Sequence, residues 1–291
     1  MARAGRSTLP DVAPEVIARN IAFVNWTILI GLAVGAFGAV LLGRLRTGGT
    51  RGSLAFTAFA AVFCAAAALA ADLGLPAGVV GSPVVADPTW EAPRRIALAV
   101  FAAAGLTWAI VIARDRRAVP LGFVAMAAGS VALVAAALSW GGGPAGVASM
   151  LVWLVGLAAA TGGVLAAMIL AHWYLVTPRL PEAPLVALAR VLVAAIIAQT
   201  ALFVLWTATG LGSPWAPADP FAALTGPWAF FVWMRLFVGL ILPLVVGVMA
   251  VKTAQTRSME SATGLLYINV GTIAAGSILA AGLYFGAGLL V

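Results

Sequence analysis

The chain has 291 residues, of which 64% are hydrophobic and only 9% are charged, and its mean hydropathy is +1.11. A soluble domain would carry about a quarter charged residues, so water is not the main solvent of this protein. The formal net charge of +7 lies in short basic clusters between apolar runs. That distribution argues against a nucleic-acid partner and favours contact with lipids, in particular anionic headgroups.

The N-terminal segment, residues 1–20, precedes the first apolar run and is predicted to lie at the membrane interface. The run that follows is longer than the apolar region of a signal peptide, and it ends in Arg44 and Arg46. We therefore expect a retained helix rather than a cleaved signal. This helix begins a transmembrane domain that covers residues 21–291.

Eight apolar stretches follow along the chain, and most are close to the ~20 residues that a helix needs to cross a bilayer. They lie at residues 21–43, 52–71, 96–113, 119–140, 147–176, 189–210, 227–251 and 262–287. The seventh is interrupted well inside its bounds by a charge, Arg235, whereas the sixth has Arg190 next to its start. The predicted fold class is therefore an all-α integral membrane protein with eight transmembrane helices.

The basic residues predict how these helices are oriented. The loops after the first, third, fifth and seventh stretches carry ten lysines and arginines, whereas the opposite side carries five. Because the cytoplasmic side of a membrane protein is the richer in Lys and Arg, both termini are predicted to lie outside (N-out/C-out). The predicted localisation is a bacterial-type inner (cytoplasmic) membrane, which the chain crosses several times.

Two loops on the predicted outer side resemble each other. GSPVVADP (Gly81–Pro88) follows the second stretch and GSPWAPADP (Gly212–Pro220) follows the sixth, at an offset of 131 residues. A real repeat would make the chain two parallel four-helix halves, residues 21–140 and 147–287, with sites expected near their interface. The alternative is a chance match between two short loops rich in Gly, Pro and Asp.

The residue inventory excludes several membrane chemistries. A bis-His haem needs two axial histidines and a Cys-ligated iron–sulfur cluster needs several cysteines, but the chain has one His and one Cys. No phosphate-binding loop of the P-loop type is present. We expect neither haem nor iron–sulfur cluster in this chain and no catalysis by the chain alone. Other membrane or peripheral redox subunits would have to carry such centres.

The only histidine, His172, closes the fifth stretch in the segment AHWYLVTPRLPEAP (Ala171–Pro184). A neutral imidazole there could bond a quinone carbonyl or pass a proton, because histidine in general can exchange a proton near neutral pH. Tyr174 follows it in an aromatic belt. The alternative is that His172 anchors the helix at the interface beside its aromatic neighbours.

The eighth stretch opens with SMESATGLLY (Ser258–Tyr267) on the same predicted side. Glu260 and Tyr267 are seven residues apart and share one helix face with Gly264. Glu260 could carry a proton beside His172. The alternative is a carboxylate that only favours the N-terminal helix dipole.

Arg235 lies about eight residues, roughly 12 Å, inside the seventh helix. A charge within the bilayer costs a few kcal/mol or more and indicates function by default. The alternative is that Arg235 reaches outward to the headgroups or pairs with an outer acid such as Asp219. Together, the candidate quinone-binding residues are His172, Tyr174, Arg235, Glu260 and Tyr267.

The last two helices resemble those of the DmsC/NrfD-type membrane anchors. The segment FVWMRLFVGLILPLVVG (Phe231–Gly247) is similar to the family's Arg-bearing, Pro-interrupted seventh helix, and AGSILAAGLYFG (Ala275–Gly286) is similar to its closing helix. Where the family often carries a Glu and an Arg, this chain has Ser277 and Ala281. The resemblance implies eight helices and a haem-free subunit that exchanges electrons between quinol and an iron–sulfur partner.

The sequence thus favours a membrane subunit of a respiratory or electron-transfer complex that anchors a redox partner and binds quinone. Two alternatives stay open, namely a small-solute transporter and a purely structural membrane subunit. The helices offer few charged lining groups for a transporter.

Overall fold

The computed structural model describes residues 13–47, 49–115, 118–177, 179–215 and 219–291, and so leaves out most of the predicted interfacial segment. A short helix, Ala13–Arg19, precedes eight helices that are long and apolar enough to cross a membrane. In chain order these spans are Ile21–Arg46, Arg51–Leu73, Pro88–Ala113, Val119–Trp140, Pro144–Val176, Ala183–Thr209, Ala229–Gln255 and Met259–Ala287. Within the described residues the prediction of eight long apolar helices is therefore confirmed.

Two helices begin five or six residues earlier than the apolar pattern predicts. The α-helix of the third span starts at Glu91, so that Arg94 lies in its first turn. The sixth span starts at Ala183, with Pro184 in its first turn, and this places Arg190 seven residues inside the helix rather than at its start. Proline is favoured in a first turn because the N–H it lacks would have no helical acceptor there. Helical hydrogen bonding thus extends beyond the charge-free stretches.

Neighbouring spans run in opposite directions, because short connections join helices that pack side by side. We call one end of the bundle, at which the second span ends and the third begins, the Asp72 end. The other end, at which the fifth span ends and the sixth begins, is the His172 end.

The first four spans each pack against the next one along the chain, and so do the last four. The first and fifth spans join the two sets and cross closely. A Cβ atom on Gly35 would overlap the carbonyl of Ala158, and a Cβ on Gly162 would overlap the backbone at Ala36. Small residues permit this approach. The packing order is compatible with two halves related by a repeat, which stays a prediction.

The outward faces of the spans carry large apolar side chains. Phe56 and Phe63 on the second span are 57% and 73% exposed, and Phe230 on the seventh is 69% exposed. In water such a surface would be costly. A bundle with this surface is compatible with lipid contact.

Candidate functional site

His172 lies exposed in the last turns of the fifth span, at the His172 end. The hydroxyl of Tyr267, on the eighth span, is 3.5 Å from its Nδ1 atom, which is the long limit of a hydrogen bond. Tyr267 is itself 49% exposed. The pair therefore presents an imidazole and a phenol, both able to donate or accept a hydrogen bond, on the outer surface of the seam between two spans.

A cleft of about 540 Å³ lies at the same end and is lined by Tyr174 and Glu260, together with Arg257. Tyr174 is buried, and its hydroxyl donates to the carbonyl of Pro181. Arg257 forms an ion pair with Glu182 at 3.1 Å. The Glu260 carboxylate is exposed. Of the cleft's predicted site residues, Glu260 is thus the one with an exposed acidic group for proton exchange.

The structure brings four of the five predicted residues to one end of the bundle, but in two groups. His172 and Tyr267 form one, and Tyr174 and Glu260 line the cleft. Glu260 and Tyr267 are both exposed, as their spacing on one helix face predicts. Seven residues separate them, which is about 10 Å along a helix, so a proton would need water to pass between them.

Arg235 lies apart from these four residues. Gly239, one turn further along its helix, packs against Gly276 of the eighth span. Gly276 is nine residues from Tyr267, about 13 Å along the helix axis. The side chain of Arg235 is only 2% exposed. The alternative in which it reaches outward to headgroups is therefore wrong, because its guanidinium points into the protein interior.

The guanidinium of Arg235 is held by oxygens from three parts of the chain. Nη2 donates to Oε1 of Gln199 at 2.6 Å, Nη1 to the carbonyl of Gly239 at 3.2 Å, and Nε to the main-chain oxygen of Val291 at 3.4 Å. Gln199 in turn donates to the carbonyl of Gly156 at 2.9 Å. Within the described residues, no ion pair joins Arg235 to an acid such as Asp219. The charge is satisfied by hydrogen bonds that link the fifth, sixth and seventh spans.

The local helix geometry explains why Gly239 accepts this bond. The seventh span has a π-helical turn at Phe237–Ile241, and Pro243 follows it. Proline has no N–H, so the carbonyl four residues before it loses its α-helical donor. That carbonyl belongs to Gly239, and Arg235 supplies the missing hydrogen bond.

A third polar cluster, at the Asp72 end, was not predicted from the sequence. Asp72 is fully buried and Arg94 is 2% exposed. Arg94 binds both carboxylate oxygens, with Nε 2.6 Å from Oδ2 and Nη2 3.1 Å from Oδ1. Arg95 donates to the same carboxylate at 2.9 Å, and Nη1 of Arg94 donates to Ser139 at 2.8 Å. The cluster joins the second, third and fourth spans.

Aromatic rings surround the Arg94 guanidinium, whose carbon lies 4.6 Å from the ring centre of Trp140 and 5.6 Å from that of Trp26. Such cation–π contacts stabilise a charge that has left water. The apolar pattern alone does not predict this cluster. Arg94 and Arg95 follow Asp72 by 22 and 23 residues and precede the apolar stretch of the third span, although they lie within its helix.

The loop beside this cluster is also ordered by hydrogen bonds. The main-chain N–H of Asp87 donates to the carbonyl of Ser139 at 2.7 Å. Hydrogen bonds from the side chain and the main-chain N–H of Thr89 hold the pKa of Asp87 below its usual value. Asp87 therefore stays ionised at the exposed start of the third span.

No family model, curated protein or solved structure matches this chain. The resemblance to the DmsC/NrfD-type anchors stays a prediction that depends on the last two helices. Within that stretch, Arg235 and Pro243 form one hydrogen-bonded unit with Gly239. This contact explains locally why an arginine and a proline occur together in the seventh span. It does not require a bound ligand.

Proposed function

We propose that the protein is a membrane-embedded subunit of an electron-transfer complex, which anchors a redox partner and binds quinone at the His172 end. The observation that carries this proposal is the exposed pair of His172 and Tyr267 at a seam between two spans. A quinone headgroup needs donors for its carbonyl oxygens, and these two side chains offer them on a surface that lipid-soluble molecules can reach.

The chemistry of such a site divides between this chain and its partner. Reduction of a quinone to a quinol takes two electrons and two protons, and the electrons come from the redox centres of the partner. His172 and Tyr267 orient the headgroup by hydrogen bonds to its carbonyl oxygens. The exposed carboxylate of Glu260 lies about 10 Å from Tyr267 along the eighth span. It exchanges protons with water at the same end of the bundle. For quinol oxidation the same steps run in reverse.

The charge distribution supports a cytoplasmic His172 end. Among the described residues, that end carries eight basic side chains and three acidic ones. The basic ones are Arg44, Arg46, Arg51, Arg114, Arg179, Arg190, Lys252 and Arg257, and the acidic ones are Asp115, Glu182 and Glu260. At the Asp72 end the described acidic residues outnumber the basic ones. By the positive-inside rule, the His172 end, which holds the proposed quinone site, would face the cytoplasm.

The test is quinol-linked turnover in membranes that contain the intact complex. We expect His172→Ala to lower turnover by about 10- to 1000-fold, since a positioned acid–base group contributes about 10²–10⁴-fold. Tyr267→Phe should lower it less, because the imidazole remains. Val176→Ala is the matched control, since Val176 lies on the same span, is 69% exposed and is not in the cleft.

Assembly of the complex and the quinone content after purification separate the possible outcomes. If turnover in both His172→Ala and Tyr267→Phe stays within about twofold of wild type and quinone is retained, His172 is an interfacial anchor. The quinone site proposed at this pair would then be wrong. Purification of the chain without any redox partner would contradict the anchoring role.

A further inference from the structure

An apolar groove of about 320 Å³ lies between the first, fourth, fifth and sixth spans. Val34 and Ala158, near the middle of the first and fifth spans, lie among its lining residues. It opens sideways past Val155 and Val191, which are 51% and 47% exposed. The hydroxyl of Ser130 is the polar side-chain group in its lining, and this hydroxyl already donates to the carbonyl of Met126 at 2.9 Å. Water in the groove would find few partners.

Two glycines in the groove lining are not explained by helix packing. A Cβ atom on Gly38 would meet only the side chain of Met126, at 3.8 Å, and one on Gly163 would meet only Leu192, also at 3.8 Å. The nearby Gly35 and Gly162 differ, because a Cβ on either would overlap the opposite helix. Glycine inside a helix costs up to about 1 kcal/mol relative to alanine. At Gly38 and Gly163 it leaves room within the groove rather than between helices.

An exposed basic side chain lies beyond the groove at the His172 end. Leu42 lines the groove, and Arg46 follows it after about one helical turn. In the described part of the chain, the guanidinium of Arg46 forms no ion pair. Arg190 is also exposed at this end, but it follows the lining residue Leu188 by only two positions, which places it on the other side of the sixth helix.

We propose that this groove binds one acyl chain of an anionic phospholipid, whose phosphate is held by Arg46. The groove supplies apolar walls for the chain, and the arginine supplies charge complementary to the headgroup. A neutral lipid would use only the walls. The inference rests on membrane insertion, which is part of the proposed function, and does not depend on quinone binding.

Native mass spectrometry of the chain purified in mild detergent, with added dioleoyl phosphatidylglycerol or dioleoyl phosphatidylcholine, tests this site. We expect one retained phosphatidylglycerol, bound about fivefold more tightly than phosphatidylcholine, since one nearby arginine contributes about fivefold in affinity. Arg46→Gln should weaken phosphatidylglycerol binding by about fivefold. Arg190→Gln and Lys252→Gln, at exposed basic residues of the same end, should leave it unchanged.

Filling the groove gives a second, independent test. Gly38→Leu and Gly163→Leu place a side chain in the groove and should weaken lipid retention by about tenfold or more. Gly264→Leu is the matched control, because a Cβ there meets nothing within 4 Å on the eighth span. If a filled variant fails to give a monodisperse protein, the arginine variants still decide the question.

Three results would overturn the proposal. These are unchanged phosphatidylglycerol retention in the filled variants, equal binding of the two lipids, or a quinone tail photo-crosslinked in the groove in place of phospholipid. Loss of lipid binding with normal quinol turnover would leave the proposed function standing. Failure of the chain to insert into a membrane would contradict both the lipid site and the proposed function.

Discussion

The buried charges of this protein are stabilised in two different ways. Arg94 has a counter-ion, Asp72, on the neighbouring helix and lies between two indole rings. Arg235 is bound instead by the amide oxygen of Gln199 and the carbonyl of Gly239. A buried charge that loses its partner is costly. The two sites should therefore respond differently to removal of a single partner.

Asp72→Asn tests the ion pair, because it leaves Arg94 buried without a counter-charge. We expect a loss of about 3–5 kcal/mol in the free energy of unfolding, measured by denaturation in detergent. The control is Asp115→Asn. Asp115 forms an exposed ion pair with Arg51 at 3.9 Å, and such a pair contributes about 0–1 kcal/mol. Equal effects of the two substitutions would contradict the interpretation of Asp72 as a buried structural counter-ion.

The seventh span shows how one helix can carry an arginine, a π-helical turn and a proline together. Pro243 removes the donor to Gly239, and the guanidinium of Arg235 replaces it. The bare Gly239 backbone also lets Gly276 approach closely. Each feature compensates for another, so their energies should not be additive.

A double-mutant cycle between Arg235 and Pro243 measures this dependence. Arg235→Met leaves the carbonyl of Gly239 and the amide oxygen of Gln199 without a donor, at an expected cost of about 2–3 kcal/mol in unfolding free energy. Pro243→Ala restores a main-chain N–H, and in that background the same substitution should cost about 1 kcal/mol less. Additive effects would show that Arg235 does not compensate for the proline.

The crossing of the first and fifth spans depends on a different pair of glycines, Gly35 and Gly162. Gly35→Val would push a side chain into the backbone of Ala158 and should lower the unfolding free energy by about 1–3 kcal/mol. Gly271→Val is the matched control on the eighth span, where a Cβ meets nothing within 4 Å. Thermal unfolding in detergent compares the two. If Gly271→Val lowers the unfolding free energy as much as Gly35→Val, the effect comes from the low helix propensity of valine and not from the helix crossing.

For the whole molecule, the difference in charge between the two ends is the main guide to orientation. The His172 end is basic, whereas at the Asp72 end Asp72 and Glu91 both form ion pairs with Arg95. Arg94 and Arg95 are both paired with Asp72. We therefore expect them to contribute less to the orientation of the spans than the exposed basic residues of the His172 end.

Reporter fusions test the orientation directly. A fusion after Arg257 should behave as cytoplasmic, and a fusion at Trp90 as periplasmic, because the richer basic end stays inside. A matched fusion at Arg114, at the His172 end, should agree with Arg257. Opposite signals from Arg114 and Arg257 would mean that the number of spans between them is odd.

Much of the architecture was predictable because apolar length is a local property of the sequence. Each long apolar run became a helix, and for residues 119–140 the bounds of the run and of the helix are the same. The helix face shared by Glu260 and Tyr267 also follows from helical periodicity alone. The proximity of Tyr267 to His172, 95 residues apart, does not. That contact depends on how the fifth and eighth spans pack.

The sequence by itself determined that the protein is a bundle of eight apolar helices, since the free energy of burying backbone in an apolar environment favours helices wherever about 20 apolar residues run together. Only the tertiary structure decided which polar groups meet. It placed Arg94 on Asp72 and Arg235 on Gln199 rather than near His172. The physical reason is that hydropathy reports the cost of an isolated charge, whereas a partner on another helix offsets that cost and leaves no local signal.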